Sequence, residues 1–219
     1  MMSPIEPQAL LLDLDGTLAD SLGVMRTVYD AFLQAFGVAG SAEEFASLNG
    51  PPLREVVRRL SSIHALRGSV EDNFAFYNTL ADRAYGEVAP SPGARALLEQ
   101  AQSAKCVVGV VTANSTGRAV GWLQSAGLRH QIAFVVGAED VDMAQGKPHP
   151  APYRLAIARS GCAAERVVAV EDSPQGASSA CGAGLHTFVL VEGLAHTGEW
   201  PLGVEAIGSL LDLSPRLWP

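Results

Sequence analysis

Two carboxylates stand two residues apart at the end of an apolar run, in Leu11-Leu12-Asp13-Leu14-Asp15-Gly16-Thr17-Leu18. On an extended strand, residues i and i+2 point to the same side. Like charges held side by side are unfavourable unless something offsets them, and a divalent cation with carboxylate ligands does so. Gly16 permits a tight turn and lets a ligand approach the backbone. Taken alone, the same residues equally describe a strand ending in a solvated Asp-Gly turn.

Three further runs end in polar groups. Val108-Gly109-Val110-Val111 leads into Thr112-Ala113-Asn114-Ser115. The Thr112 hydroxyl can bond a phosphate oxygen, and the amides of Ala113 and Asn114 can face an anion at the start of a helix. Helix capping by Asn114 or Ser115 is the plain alternative. Gln145-Gly146-Lys147-Pro148-His149-Pro150 holds one of only two lysines among fifteen Lys and Arg residues. A compact ammonium between a glycine and a proline suits the neutralising of a nucleophilic Asp and a transferring phosphoryl group. Lys105 reads as surface and His149 as a loop residue. Val167-Val168-Ala169-Val170 ends in Glu171-Asp172-Ser173-Pro174, where acidic capping is the alternative.

These groups need a common edge. Five runs, 9–13, 106–111, 132–136, 167–170 and 187–191, are apolar on both faces and read as buried parallel strands. Helical patterns over 93–104, 116–126, 151–160 and 174–183 alternate with them, which predicts a doubly wound α/β sheet. In such a sheet all strand C-termini share one edge, where ligands bind. Residues 21–89 break the alternation and read as helices over 21–36, 42–48, 53–63 and 70–85. A structureless loop of that length is implausible. The expectation is a small helical domain, 21–89, inserted into a core of 1–20 and 90–219, with a proline-stiffened border at Ala89-Pro90-Ser91-Pro92-Gly93.

The 219 residues are 48% hydrophobic and 17% charged, which favours a sizeable buried core over disorder. A net charge of −8 argues against nucleic acid or an acidic membrane as partner, and an anionic substrate then needs local positive charge or a metal. Cys106, Cys162 and Cys181 are odd in number and widely spaced, which suits neither a disulfide framework nor a zinc site. They fit a reducing compartment. Residues 1–7 lack the pattern of a signal peptide, and no apolar run approaches the ~20 residues that span a bilayer. The expected location is cytoplasmic.

In order and context, Asp13-Leu14-Asp15-Gly16-Thr17, Thr112, Lys147-Pro148 and Glu171-Asp172 resemble the four signature motifs of the haloacid dehalogenase superfamily. Leu18-Ala19-Asp20-Ser21, Pro92-Gly93 and Glu171-Asp172-Ser173-Pro174-Gln175-Gly176 are similar to its phosphoglycolate phosphatase and β-phosphoglucomutase branch. The resemblance implies a Rossmann-like parallel sheet core with an inserted α-helical cap. It implies a Mg²⁺-dependent phosphatase acting on a small phosphorylated metabolite, as monomer or homodimer. Asp13 is then the nucleophile and Asp15 the general acid and base. Mg²⁺ is held by Asp13, the Asp15 carbonyl and Asp172, with Glu171 binding through water or orienting the site. Thr112, Lys147 and the backbone at Leu14, Gly16, Ala113 and Asn114 face the phosphoryl oxygens.

Within the superfamily, Asp15 separates this chain from the dehalogenases proper, and the absence of any lysine in 21–89 excludes the Schiff base of the phosphonate-cleaving branch. Leu48-Asn49-Gly50-Pro51-Pro52-Leu53-Arg54-Glu55 resembles a specificity loop, in which Arg54 either grips a distal anion or is a solvated helix residue. A phosphomutase needs cap cations for its second phosphate. The proline-bounded loop and lysine-free cap favour hydrolysis of a compact ester such as phosphoglycolate. Phosphomutase, pyrophosphatase or nucleotidase, and a non-catalytic binding protein are the alternatives.

Overall fold

The computed structural model describes residues 6–48, 51–191 and 199–218, so Asn49 and Gly50 of the resembled loop lie outside the described residues. Strand β1 (Ala9–Leu12) is the centre of a six-stranded parallel sheet with β2 (Val107–Val111), β3 (Phe134–Val136), β4 (Val167–Glu171), β5 (His186–Leu190) and β6 (Glu205–Ile207). The order is β3-β2-β1-β4-β5-β6. All pairings are parallel, and the order reverses beside β1, where a doubly wound sheet opens a crevice.

Side chains alternate across a strand, so each run supplies two cores. Leu10, Leu12, Val108, Val110, Val168 and Val170 pack on one face; Ala9, Leu11, Val111 and Ala169 pack on the other. Helices α5 (Ala94–Ser103) and α6 (Thr116–Ser125) cover the first face, with Leu97, Leu98 and Trp122 buried there. Helices α7 (Ala151–Ser160) and α8 (Pro174–Gly182) cover the second through Tyr153, Ala156 and Ala180. Ser115 caps α6 by accepting from Arg118 N, and Ser173 caps α8 by accepting from Gly176 N.

The elements predicted from the sequence are all present; the fold differs from them at β3, at β6 and in a short unpredicted helix, Ser214–Leu217. β3 begins at Phe134 because Arg129–Gln131 forms a 3-10 turn. β6 was not anticipated: it is three residues long and begins on a charge, too short for an apolar period to show. No helix of the described residues is long and apolar enough to cross a membrane.

Between β1 and α5 run α1 (Leu22–Ala35), α2 (Ala42–Ser47), α3 (Leu53–Ile63) and α4 (Val70–Tyr85). They bury a cluster of their own around Tyr29, Phe32, Leu33, Val57, Leu60 and Ala81. The chain enters and leaves this helical insert side by side, with Asp20 N donating to Ala89 O (2.9 Å) and Ser91 N to Leu18 O (2.9 Å). The buried Trp122 Nε1 donates to Val88 O at 2.9 Å and ties α6 to the return segment. Trp122→Phe strands that carbonyl, so it should lower stability by about 1–3 kcal/mol in urea unfolding, with the fold retained.

Candidate active site

Strand β1 stops at Leu12, and Asp13 N still bonds Val170 O at 3.0 Å, so the Asp13 carboxylate leaves the sheet at its C-terminal edge. Neighbouring strands end at the same height. β2 delivers Thr112, whose N–H continues the ladder to Val136 O (2.9 Å), and β4 delivers Glu171 and Asp172. All four residues are buried. Lys147 reaches in from the loop before α7, itself buried, and every donor of its ammonium is committed. Nζ donates to Asp13 Oδ1 (2.6 Å), Glu171 Oε1 (2.5 Å) and Val111 O (2.9 Å). Tyr153 Oη donates to Glu171 Oε1 at 2.5 Å.

Three buried carboxylates, Asp13, Glu171 and Asp172, offer oxygens within 4.8 Å of one another. One ammonium does not offset them. Burial pushes Asp13 up to about 8, against the pull of Lys147 and with the repulsion of Glu171 and Asp15. Burial, then Asp13 and Glu171, also hold Asp172 well above the usual carboxylate range. Burial alone pulls the Lys147 ammonium down, but Asp13 and Glu171 together outweigh it and hold it charged. Glu171 Oε2 is buried with no hydrogen-bond partner among the described residues. An all-oxygen donor set and surplus negative charge fit a hard divalent cation.

Two glycines make this packing possible. Gly16 has φ +81°, and a Cβ there would lie 2.0 Å from Asp172 Oδ2. A Cβ on Gly176 would lie 1.9 Å from Glu171 Oε2. Gly16 was expected to let a substrate approach its backbone. Instead the Asp172 carboxylate takes that space, and Gly16 N donates to Ala19 O (2.8 Å) to close the turn.

Asp15 lies in the same chamber and accepts three hydrogen bonds. Ser21 Oγ (2.8 Å) and Tyr85 Oη (2.5 Å) donate to Oδ1, and Asn114 Nδ2 (2.9 Å) donates to Oδ2. Burial and the Asp15 charge hold the Tyr85 phenol far above its ordinary value, so it stays a donor. Asn114 was expected to offer its N–H to an anion, but that N–H bonds Thr112 Oγ1 at 3.0 Å, and the side-chain amide holds Asp15 instead. Ala113 lines the chamber; the Leu14 side chain is fully buried in the core, and its carbonyl accepts from Thr17 N and Ala19 N.

Arg54 does not line the chamber. Its Nη1 donates to Glu71 Oε1 at 2.7 Å, and its guanidinium lies over Phe74, so the exposed alternative holds. Two residues beside Asp15 escaped sequence reasoning. Tyr85 ends α4 and Arg118 sits one turn into α6, and neither has a local motif. Arg118 joins sheet core to insert: Nη1 donates to Asn114 Oδ1 (2.7 Å), Nη2 to Asn78 Oδ1 (2.7 Å) and Nε to Asp82 Oδ1 (2.9 Å).

The sequence relationships agree with this geometry. A family model described as haloacid dehalogenase-like hydrolase matches residues 10–190. The chain belongs to that family. A phosphoglycolate phosphatase of Xanthomonas campestris pv. campestris (strain 8004) is 28% identical over 230 residues, 97% of this chain and 95% of the relative. Hexitol phosphatase A of Escherichia coli (strain K12) is 31% identical over 187 residues, 84% of this chain and 82% of the relative. The structure of CbbY from Rhodobacter sphaeroides in complex with phosphate superposes with a TM-score of 0.81 at 25% identity, covering 94% of this chain and 96% of that one. The chain is therefore a phosphatase of the haloacid dehalogenase-like family.

Removing Arg118 leaves Asn114 Oδ1 and Asn78 Oδ1 without their donor and cuts the α4 to α6 contact. Arg118→Ala should lower stability by about 1–3 kcal/mol and speed amide hydrogen exchange in α4 ahead of the sheet. Equal protection of α4 in the variant and the parent would show that Arg118 is not the tie.

Proposed function

We propose that the protein is a Mg²⁺-dependent phosphatase of small phosphate monoesters that works through an aspartyl-phosphate on Asp13. The observation that carries this is Lys147 Nζ at 2.6 Å from Asp13 Oδ1, in a chamber that also holds a second carboxylate, Asp15. The helical insert, residues 21–89, acts as a cap over the sheet edge.

Lys147 holds the Asp13 carboxylate in place, so attack on phosphorus needs no large reorganisation. An Asp13 oxygen forms a bond to phosphorus as the ester oxygen leaves, and Asp15 gives that oxygen its proton. Asp15 then takes a proton from water. The water oxygen attacks phosphorus, the Asp13–phosphorus bond breaks, and inorganic phosphate leaves. Asp15 as seen accepts three hydrogen bonds, the arrangement of the base form. Two of its donors, Ser21 and Tyr85, are hydroxyls, which accept as well as donate and so also suit the acid form. Thr112 Oγ1 accepts from Asn114 N, which leaves its own hydrogen to donate to a phosphoryl oxygen in the chamber. Asp13, Asp172 and the Asp15 carbonyl would hold Mg²⁺, with Glu171 at one remove, where it orients Lys147. Bound there, Mg²⁺ would neutralise the surplus carboxylate charge and the phosphoryl oxygens.

A phosphomutase is disfavoured. It must grip a second phosphate, and every lining cation among the described residues is already paired within the protein. Asp13→Asn should abolish release of phosphate from an aryl phosphate, by roughly 10³-fold or more, while circular dichroism and unfolding remain those of a folded protein. Near-parental turnover by the folded variant would refute the nucleophile. Chelation should remove activity, Mg²⁺ should restore it, and Ca²⁺ should bind without restoring it, because Ca²⁺ takes more ligands in looser geometry. Full activity in excess chelator would contradict the metal assignment.

A further inference from the structure

We infer that the natural substrate is a phosphate monoester of an uncharged, mainly apolar alcohol, so that the cap selects against phosphoglycolate-like esters. This rests on the phosphatase reading above and concerns the group that leaves.

The chamber has two unlike halves. Its sheet-edge floor carries the charged groups already described. Its opposite wall comes from α1, α2, α3 and α4, through Leu22, Met25, Phe45, Leu53, Val56 and Tyr77. Leu48 and Pro51 extend the wall. No charged side chain of the insert lines the chamber among the described residues. The insert's arginines lie elsewhere: Arg26 pairs with Asp30, Arg54 with Glu71, Arg58 and Arg59 both with Glu55, and Arg83 is exposed in the last turn of α4, outside the chamber lining. Arg67 lies over Phe36.

Arg118 and Lys147 are the cations that do line the chamber, and all their nitrogens are committed. Arg118 donates from Nε and Nη2 to Asp82, from Nη2 to Asn78 and from Nη1 to Asn114. Lys147 is bound three ways. A carboxylate or second phosphate on the leaving group would be desolvated against leucine, methionine and phenylalanine with no counter-charge, a costly placement. An alkyl or aryl group would gain by leaving water there. The polar group that α1–α4 do offer is the phenol of Tyr77, kept protonated by burial and without a hydrogen-bond partner among the described residues. It fits one hydroxyl or ether oxygen on an otherwise apolar alcohol.

The test is kcat/KM for the purified chain with Mg²⁺ on ethyl, butyl, hexyl and phenyl phosphate and on phosphoglycolate. Ethyl phosphate and phosphoglycolate differ only by a carboxylate in place of a methyl. Values should rise by about 2–4-fold per added methylene until the chamber is filled, and phosphoglycolate should fall about tenfold or more below ethyl phosphate. Leu53→Arg puts a cation on the wall and should raise the ratio of phosphoglycolate to ethyl phosphate by about tenfold. A flat alkyl series with phosphoglycolate preferred would overturn the inference and leave the phosphatase standing. A folded Leu53→Arg protein with an unchanged ratio would count against it too. No phosphate released from any ester, phenyl phosphate included, would sink both.

Discussion

An ammonium buried among carboxylates is the constraint around which this molecule is arranged. Lys147 has almost no contact with water and sits within 2.6 Å of both Asp13 Oδ1 and Glu171 Oε1. Such a group is tolerated only with its hydrogen bonds complete. Three strands must therefore end at one height, so that β1 presents Asp13, β2 the Val111 carbonyl and β4 Glu171. The apolar runs, the reversal of strand order beside β1 and the glycines at 16 and 176 all serve that meeting. The same cluster keeps more carboxylate than ammonium. That excess fits the proposed role of the cluster in holding a divalent cation and a phosphoryl group better than that of a static ion pair.

The second half of the site is built from a different material. The insert has its own apolar cluster and meets the sheet edge through few polar ties: Tyr85 and Ser21 on Asp15, and Arg118 between Asn114, Asn78 and Asp82. Asp15 thus takes hydrogen bonds from both ends of the insert, Ser21 and Tyr85, and from the loop after β2. Charge is concentrated on the floor, and the wall above it is apolar. On the proposed reading labour is divided: the floor would handle the phosphate, and the wall what the phosphate is attached to.

Much of this was legible in the sequence because it is written in local patterns. Runs apolar on both faces mark buried parallel strands, and helix starts at Ser115 and Ser173 carry their caps beside them. Asp13, Asp15, Thr112, Lys147 and Asp172 stand in motifs, and the fold brings them to one chamber. What was missed depends on orientation and distance. Leu53 and Arg54 are neighbours on α3, yet successive helical residues turn by about 100°. Leu53 faces the chamber while Arg54 faces Glu71. Tyr85 reaches Asp15, and Arg118 reaches Asn78 and Asp82, across long stretches of sequence, and no spacing announces them. The Asn114 and Gly16 amides were assigned to a ligand because loop amides often face one; here Thr112 Oγ1 and Ala19 O take them.

The central claim is that phosphorus passes through Asp13. Its most direct test is a rapid-quench reaction of the Asp15→Asn protein with 4-nitrophenyl phosphate, whose leaving group departs without a proton from Asp15, followed by mass spectrometry of the peptide that contains residue 13. With the nucleophile intact and the water-activating carboxylate removed, the account predicts the mass of one phosphoryl group on that peptide, located at Asp13. Phosphate released with no covalent species, or a phosphoryl group carried on any other residue, would contradict it.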